Sequence, residues 1–461
     1  MKYRLLLLVL FPIITWGQNT SYTLQEAVDY AATHAYAIKN AEDDIAIAKK
    51  KVWETTTMGL PQINAAADYQ NFLEKPVQLM PAEFFDATGA TVGIVQHYFG
   101  LTPLATPEPA EGFIPVSFGT KQSVNASVTL SQLIFNGSYL VGLQSSIVYK
   151  EINESIKTKT ILAVKEAVTN AYAGVLMTDE GIKILSKNKA ILEKNVSDTH
   201  QIYINGFAEE QDVEQLQLTL AKINNELQNL KRLRNYNIKM LQFAMGLDVE
   251  NPIQLTDTLT QLLSINKDLS LTQKQFDFEE HIDYKMAQNG IKANQLLVKL
   301  EQSKILPSLN AFINYGVTAN NEDFKFFNQE QEWYDSSLFG FQLSVPIFSS
   351  FKRHSRIQQA KIGLDKAQRT LGETAQKLKL QHQTALLNYQ NAIENFNTSK
   401  QSLALAESIE KKENVKFFEG VSTNFALSNA QNQLYTQQQQ YLQAIFNLIS
   451  KKVALETALD M

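Results

Sequence analysis

The sequence predicts a mainly α-helical chain that also carries membrane-type β-strands, built as two copies of one helix-strand-strand-helix-helix plan. Three observations predict it: short motifs that recur at near-constant offsets, two proline-free stretches too long for a compact core, and four segments that alternate apolar and polar residues.

The duplication sets the frame, because a missed repeat miscalls the whole fold. Leu60-Pro61-Gln62-Ile63-Asn64-Ala65 and Tyr69 recur as Leu306-Pro307-Ser308-Leu309-Asn310-Ala311 and Tyr315, 246 residues on. Leu130-Ser131 with Ile134-Phe135 recurs as Leu343-Ser344 with Ile347-Phe348, at an offset of 213. Tyr203-Ile204-Asn205-Gly206 recurs as Phe417-Phe418-Glu419-Gly420, at 214. The first copy therefore holds 33 extra residues (246 minus 213) between its two strands, in an insertion spanning about 73–121. Pro76, Pro81, Pro103, Pro107, Pro109 and Pro115 fall there and predict a long loop without regular helix or central strand. The repeats are assigned to 18–246 and 270–461, with 247–269 as the segment between them.

The first helix opens at Thr23, whose spacing to Glu26 fits a capping box, and runs to about Thr57, where Gly59 and Pro61 end it. The second copy begins near Ser270 and its first helix stops before Pro307. From Ser138 to about Ile204, and again from Ser349 to about Phe418, there is no proline. About 67 helical residues reach about 100 Å, which no compact core needs. After each glycine turn a second helix keeps a heptad: Val213, Leu216, Leu220, Ile223, Leu227 and Leu230 in one copy, Leu427, Leu434, Tyr441, Leu448 and Leu455 in the other. Such stripes mean helix packing. The run Gln437 to Gln440 reads as the wetted side of the helix whose seam holds Leu434 and Tyr441.

Four strands sit beside the prolines, led in by Leu60-Pro61 and Leu306-Pro307 in the two copies. Ile63, Ala65, Ala67 and Tyr69 oppose Asn64, Asp68 and Gln70, and Val124, Ala126, Val128 and Leu130 oppose Asn125, Ser127, Thr129 and Ser131. Leu309, Ala311, Ile313 and Tyr315 oppose Asn310, Asn314 and Gly316, and Phe339, Phe341, Leu343, Val345 and Ile347 oppose Gly340, Gln342 and Ser344. Alternation alone fits a half-buried soluble sheet or a membrane barrel with a wet interior. A polar side of mostly Asn, Gln, Ser and Thr, with aromatics at strand ends, favours the barrel. Four strands cannot close one, since open edges in lipid leave backbone groups unpaired at several kcal/mol each. The chain is therefore expected to oligomerise; two copies give eight strands and three give twelve, and a conducting pore favours at least three.

Met1 to Gly17 reads as a secretory signal peptide: Lys2 and Arg4, an apolar run from Leu5 to Leu10, then Thr15-Trp16-Gly17 before cleavage at Gln18. No later stretch is long and apolar enough to span a bilayer as a helix, so membrane insertion would use strands. The chain has 0 cysteines, hence neither disulfides nor a cysteine-linked lipid anchor. Without Lys2 and Arg4 the 42 basic and 47 acidic residues become 40 and 47, a net −7 that gives no reason to expect nucleic acid.

Taken together, the duplicated Leu-Pro-x-Leu/Ile-Asn-Ala and Leu-Ser-x-x-Ile-Phe motifs, Val168-x-x-Ala171-Tyr172 in the first long helix, and the two glycine turns resemble the TolC-type outer-membrane efflux proteins over essentially the whole mature length. The resemblance implies a homotrimer with a twelve-stranded barrel in outer-membrane lipid and a helical barrel in the periplasm. It also implies a periplasmic adaptor and an inner-membrane pump docked at the helical tip, with cargo ranging from drugs and dyes to polypeptides. In that family, side chains just after the glycine turns close the tip. By position these are Gly206 followed by Glu209, Glu210, Asp212 and Glu214, and Gly420 followed by Asn424, Ala426 and Asn429. Relatives carry paired aspartates where Ala426 and Asn429 stand, so an aspartate ring is not carried over, and the acidic run of the first turn is a candidate replacement. The same run is also what a helix start needs to balance its dipole.

Enzyme chemistry is not expected. The histidines, His34, His97, His200, His281, His354 and His382, make no metal-ligand spacing. His281, among Glu279, Glu280 and Asp283, reads as the start of a helix. No nucleophile elbow, phosphate-cradling loop or catalytic triad is present, and no cofactor is called for. The rival readings are a periplasmic coiled-coil adaptor, which would show one hairpin set into β domains, and a secreted hydrolase, which would need a site.

Overall fold

The computed structural model describes residues 21–85, 88–100, 111–266 and 269–461; the signal peptide expected at 1–17 lies outside them. In chain order the elements are β1 (Ser21–Tyr22), α1 (Leu24–His34), α2 (Tyr36–Thr57), β2 (Gln62–Asn71), β3 (Val77–Pro81), α3 (Thr88–Phe99), β4 (Phe113–Ser117), β5 (Gln122–Asn136), α4 (Gly137–Ile204) and α5 (Glu210–Met245). They continue with β6 (Gln254–Leu255), α6 (Leu259–Asn266), α7 (Ile282–Ser303), β7 (Ser308–Asn321), β8 (Tyr334–Ser344), α8 (Lys352–Phe418) and α9 (Asn424–Ala458). The described residues fold into two units: a helical unit drawn from 21–52, 145–298 and 358–461, and a sheet unit drawn from 53–144 and 299–357.

In the helical unit the heptads pack as their spacing requires. Val213, Leu216, Ile223 and Leu227 of α5 are buried, as are Leu427, Leu434, Leu448 and Leu455 of α9. The main core gathers Ile38, Val168, Tyr172, Leu176, Leu241, Met245, Tyr389, Phe396 and Leu448, and a smaller cluster gathers Leu192, Leu216 and Ile223. The Thr23 and Glu26 capping box is present. Tyr172 of the Val-x-x-Ala-Tyr motif is fully buried and donates its hydroxyl to the Tyr22 carbonyl at 2.9 Å and to Asp257 Oδ2 at 3.0 Å. Asp257 Oδ2 also accepts the Leu24 N–H at 2.7 Å, so one carboxylate holds the start of α1 against α4.

Two helix expectations need correction. The opening helix is not continuous: Ala35, at φ −57° and ψ 138°, separates α1 from α2. The turn that ends α5 lies against this break. Gly246 sits at φ +78°, and a Cβ there would stand 2.3 Å from the His34 carbonyl oxygen. In the second copy the regular helix begins at Ile282 rather than near Ser270.

The sheet unit is a four-stranded antiparallel sheet in the order β2-β5-β7-β8. Its register aligns Ile63, Leu130, Ile313 and Phe339 in one row, and Ala65, Val128, Tyr315 and Ser337 in the next row of the same face. The other face carries Asn64, Thr129 and Asn314, then Asp68, Asn125 and Thr318. Those polar residues bond across strands, Asn314 Nδ2 to Thr129 Oγ1 at 2.7 Å and Thr318 Oγ1 to Asn125 Oδ1 at 2.8 Å. A bulge between Leu133 and Phe135 resets the phase, so Phe135 returns to the apolar face opposite Leu309. Leu60-Pro61 and Leu306-Pro307 stand immediately before β2 and β7.

The insertion is more regular than expected. β3 and β4 form a hairpin, and α3 occupies the stretch between Pro81 and Pro103, which contains no proline. Pro81 and Pro115 fit within a two-stranded ribbon, where half of each strand's N–H groups face outward. Pro103, Pro107 and Pro109 lie outside the described residues. β8 also ends earlier than the alternation suggested, at Ser344, because Pro346 cannot donate to a ladder; Val345 and Ile347 lie beyond it.

Candidate functional site

The features that could form a duct fall in both units and are described separately. In the sheet unit, the apolar face is unusually bare: Ile63 is 72 % and Phe339 61 % exposed, with Phe341, Leu343 and Tyr315 exposed beside them. β2 and β8 are the sheet's outer strands, so each has one edge without a partner strand among the described residues. Among those residues no helix is long and apolar enough to cross a membrane.

In the helical unit the two glycine turns are closed by the same bonds. The Phe207 N–H donates to the Ile202 carbonyl at 3.0 Å and the Val421 N–H to the Lys416 carbonyl at 2.9 Å. Gly206 and Gly420 sit at φ +79° and +74°, the left-handed conformation such a helix end requires. The helices that follow start differently. The Glu209 N–H donates to Asp212 Oδ2 at 3.2 Å at the start of α5. At the start of α9, Thr423 Oγ1 accepts the Ala426 N–H at 3.3 Å.

One bond joins the turns: Asn424 Nδ2 donates to the Asp212 carbonyl at 2.8 Å. Asn424 is thereby buried, whereas Glu209, Glu210, Glu214 and Asn429 are exposed and Asp212 is half-buried. The Asp212 carboxylate is thus engaged at a helix start, while the three glutamates project into solvent. Ser422 Oγ donates to the Glu413 carboxylate, which holds that group below its usual range.

Several residues at the turns were not singled out from the sequence. Phe207 is 85 % and Phe425 71 % exposed, with Val421 beside them, so the surface around the acidic run is apolar. The available signal was a large apolar residue directly after each turn, where a solvated loop would carry a polar one. Gln438 is likewise not simply wetted, since its Oε1 accepts Asn188 Nδ2 at 2.7 Å.

His281 opens α7 as expected and is buried, with Nε2 3.4 Å from Asp460 Oδ1. Its acidic neighbours turn to lysines, Glu280 to Lys285 and Asp283 to Lys159, each at 2.7 Å. No group of three or more possible metal ligands is gathered among the described residues.

A chain with one four-stranded amphipathic sheet and paired long helices has the fold of the TolC-like outer-membrane channels. Residues 279–460 match the family model for outer membrane efflux protein. The outer membrane protein VceC of Vibrio cholerae superposes with a TM-score of 0.66 at 14 % identity, over 95 % of this chain and 96 % of its own. The CmeC outer membrane channel of Campylobacter jejuni gives 0.69 at 14 %, over 95 % and 85 %. The MtrE outer membrane channel of Neisseria gonorrhoeae, solved in an open state, gives 0.64 at 13 %, over 95 % and 88 %. No curated protein matches the chain in sequence.

Proposed function

We propose that the chain is one protomer of an outer-membrane exit duct serving a tripartite efflux or type I secretion system. Three copies close a twelve-stranded barrel in outer-membrane lipid, the helical unit lies in the periplasm, and a periplasmic adaptor and inner-membrane pump dock at the paired turns. Residues 1–17 address the chain to the envelope, and the two repeats, 18–246 and 270–461, are joined through 247–269. Gly206 and Gly420 shape the aperture, Glu209, Glu210, Asp212 and Glu214 supply its negative charge, and Asn424 and Asn429 belong to the same tip.

The observation that carries this reading is the sheet, with two outer edges and an exposed apolar face on the same four strands. In lipid such edges must be paired, and neighbouring copies pair them without further chain. A periplasmic adaptor would have no use for that face. Static light scattering of the detergent-solubilised protein tests the proposal: a trimer with discrete conductance in planar bilayers is expected, and a monomer that salt or carbonate strips from membranes overturns it.

A further inference from the structure

The contact between α4 and α9 changes character along its length. Toward the end of α9, Leu442, Ile445, Leu448 and Ile449 belong to the same apolar core as Val168, Tyr172, Val175 and Leu176 of α4. Toward the turns most of the facing positions become polar. In α9 they are Gln438, Tyr435, Gln431, Ser428 and Asn424, and in α4 they are Asn188, Leu192, Asn195 and Thr199. Both series step by alternating threes and fours, the spacing of a coiled-coil seam.

One bond sets the antiparallel register. Asn188 Nδ2 donates to Gln438 Oε1 at 2.7 Å, and Tyr435 packs on the cluster that contains Leu192. Continued toward the turns, this register sets Asn195 opposite Gln431 and Thr199 opposite Ser428. All four are more than nine-tenths buried, and Asn195 Nδ2, Thr199 Oγ1, Ser428 Oγ and both amide atoms of Gln431 complete no hydrogen bond with protein. Gln431 also lies beside the Glu410 carboxyl of α8. A groove of about 200 Å³ lined in part by Tyr435 and Gln438 reaches the upper end of the series.

Buried polar atoms are almost always satisfied, by protein or by ordered water. Four at successive seam positions of two facing helices form a pattern, and polar seam residues are a known way to fix helix register at the expense of stability. We propose that α4 and α9 meet near the turns through a hydrated polar seam, in which ordered water bridges Asn195 to Gln431 and Thr199 to Ser428. The seam sets the register of the two helices, and it separates more readily than the dry contact between the same helices farther along. This inference concerns the helical unit by itself and stands whether or not the protein is an export duct.

Hydrogen exchange on the full-length protein in detergent tests it. Amides of 424–438 are expected to exchange at least about fivefold faster than those of 442–455, and N195L/Q431L is expected to slow the former by a similar factor. Uniform protection along α9 in the parent, or unchanged exchange in the variant, overturns the proposal. Should N195L/Q431L fail to assemble like the parent, the smaller pair T199V/S428A carries the same comparison with the same two outcomes. A crystal structure fine enough to show ordered water reads the bridges directly, and a dry seam there also overturns it.

Discussion

Asn424 donates its side-chain amide to the backbone carbonyl of Asp212 at 2.8 Å, so the first turn of α9 is tied to the first turn of α5 across 212 residues of sequence. Each helix start belongs to a different repeat, and this bond makes the two turns one structure. Asn424→Ala removes the donor, at a cost of about 1 kcal/mol. The expected result is faster proteolytic nicking at the two turns, with oligomeric state unchanged.

Gly246 carries two constraints at once, a left-handed φ of +78° and a carbonyl 2.3 Å from where a Cβ would sit. Gly246→Ala is expected to destabilise the helical unit by at least about 2 kcal/mol, from the left-handed strain and the displaced α1/α2 break together. Gly290, inside α7 with nothing within 4 Å of its Cβ position, is the control. Gly290→Ala should be neutral or stabilising by up to about 1 kcal/mol. Chemical denaturation of both variants makes the comparison.

These two positions also show where the sequence is legible. The repeats, the long helices, the strand alternation and the glycine turns each rest on a local or periodic signal, and α4 begins within one residue of the expected start. The break at Ala35 has no such signal: Ala31-Ala32-Thr33-His34-Ala35-Tyr36 contains neither glycine nor proline, and the turn packed against it is at Gly246. α3 was hidden because six prolines dominate the composition of the insertion while 88–99 holds none. Asn424 looks like any polar helix-start residue until the fold brings Asp212 to it.

On the sheet, Ile313 and Asn314 are neighbours on opposite faces of a central strand. If the apolar face meets lipid, Ile313→Lys should cost about 2–4 kcal/mol near the bilayer midplane. Asn314→Lys gives up its bond to Thr129 but keeps its charge in a wet interior, and should cost less than half as much. Unfolding in lipid vesicles measures both, and equal losses would reverse the assignment of the faces.

Tyr435 sits where the smaller apolar cluster meets the polar seam, and burial, aided by the Glu410 charge, pushes its hydroxyl up to about 12. A raised pKa in the fold favours the neutral phenol, so the stabilisation is complete below the unfolded value of about 10 and is lost as pH climbs from there toward about 12. Tyr435→Phe removes that titration. Thermal melts should show the parent losing up to about 2 kcal/mol against the variant across this window, with no added gap at neutral pH.

The acidic run of the first turn can now be divided by what each carboxylate touches. Asp212 accepts the Glu209 N–H and so behaves as helix-start chemistry, whereas Glu210 and Glu214 are exposed. In a trimer those two positions would place six carboxylates around one mouth, where ionised groups attract cations. Glu210→Gln with Glu214→Gln is therefore expected to weaken the cation preference of single channels and any block by divalent ions, with little change in stability. Asp212→Asn should do the reverse, loosening the start of α5 by about 0.5–1 kcal/mol while leaving selectivity close to the parent. Bilayer recordings at one salt concentration, paired with melting curves, separate the two effects. If the glutamine pair leaves cation preference unaltered, the run serves the helix dipole alone and the aperture takes its selectivity from elsewhere.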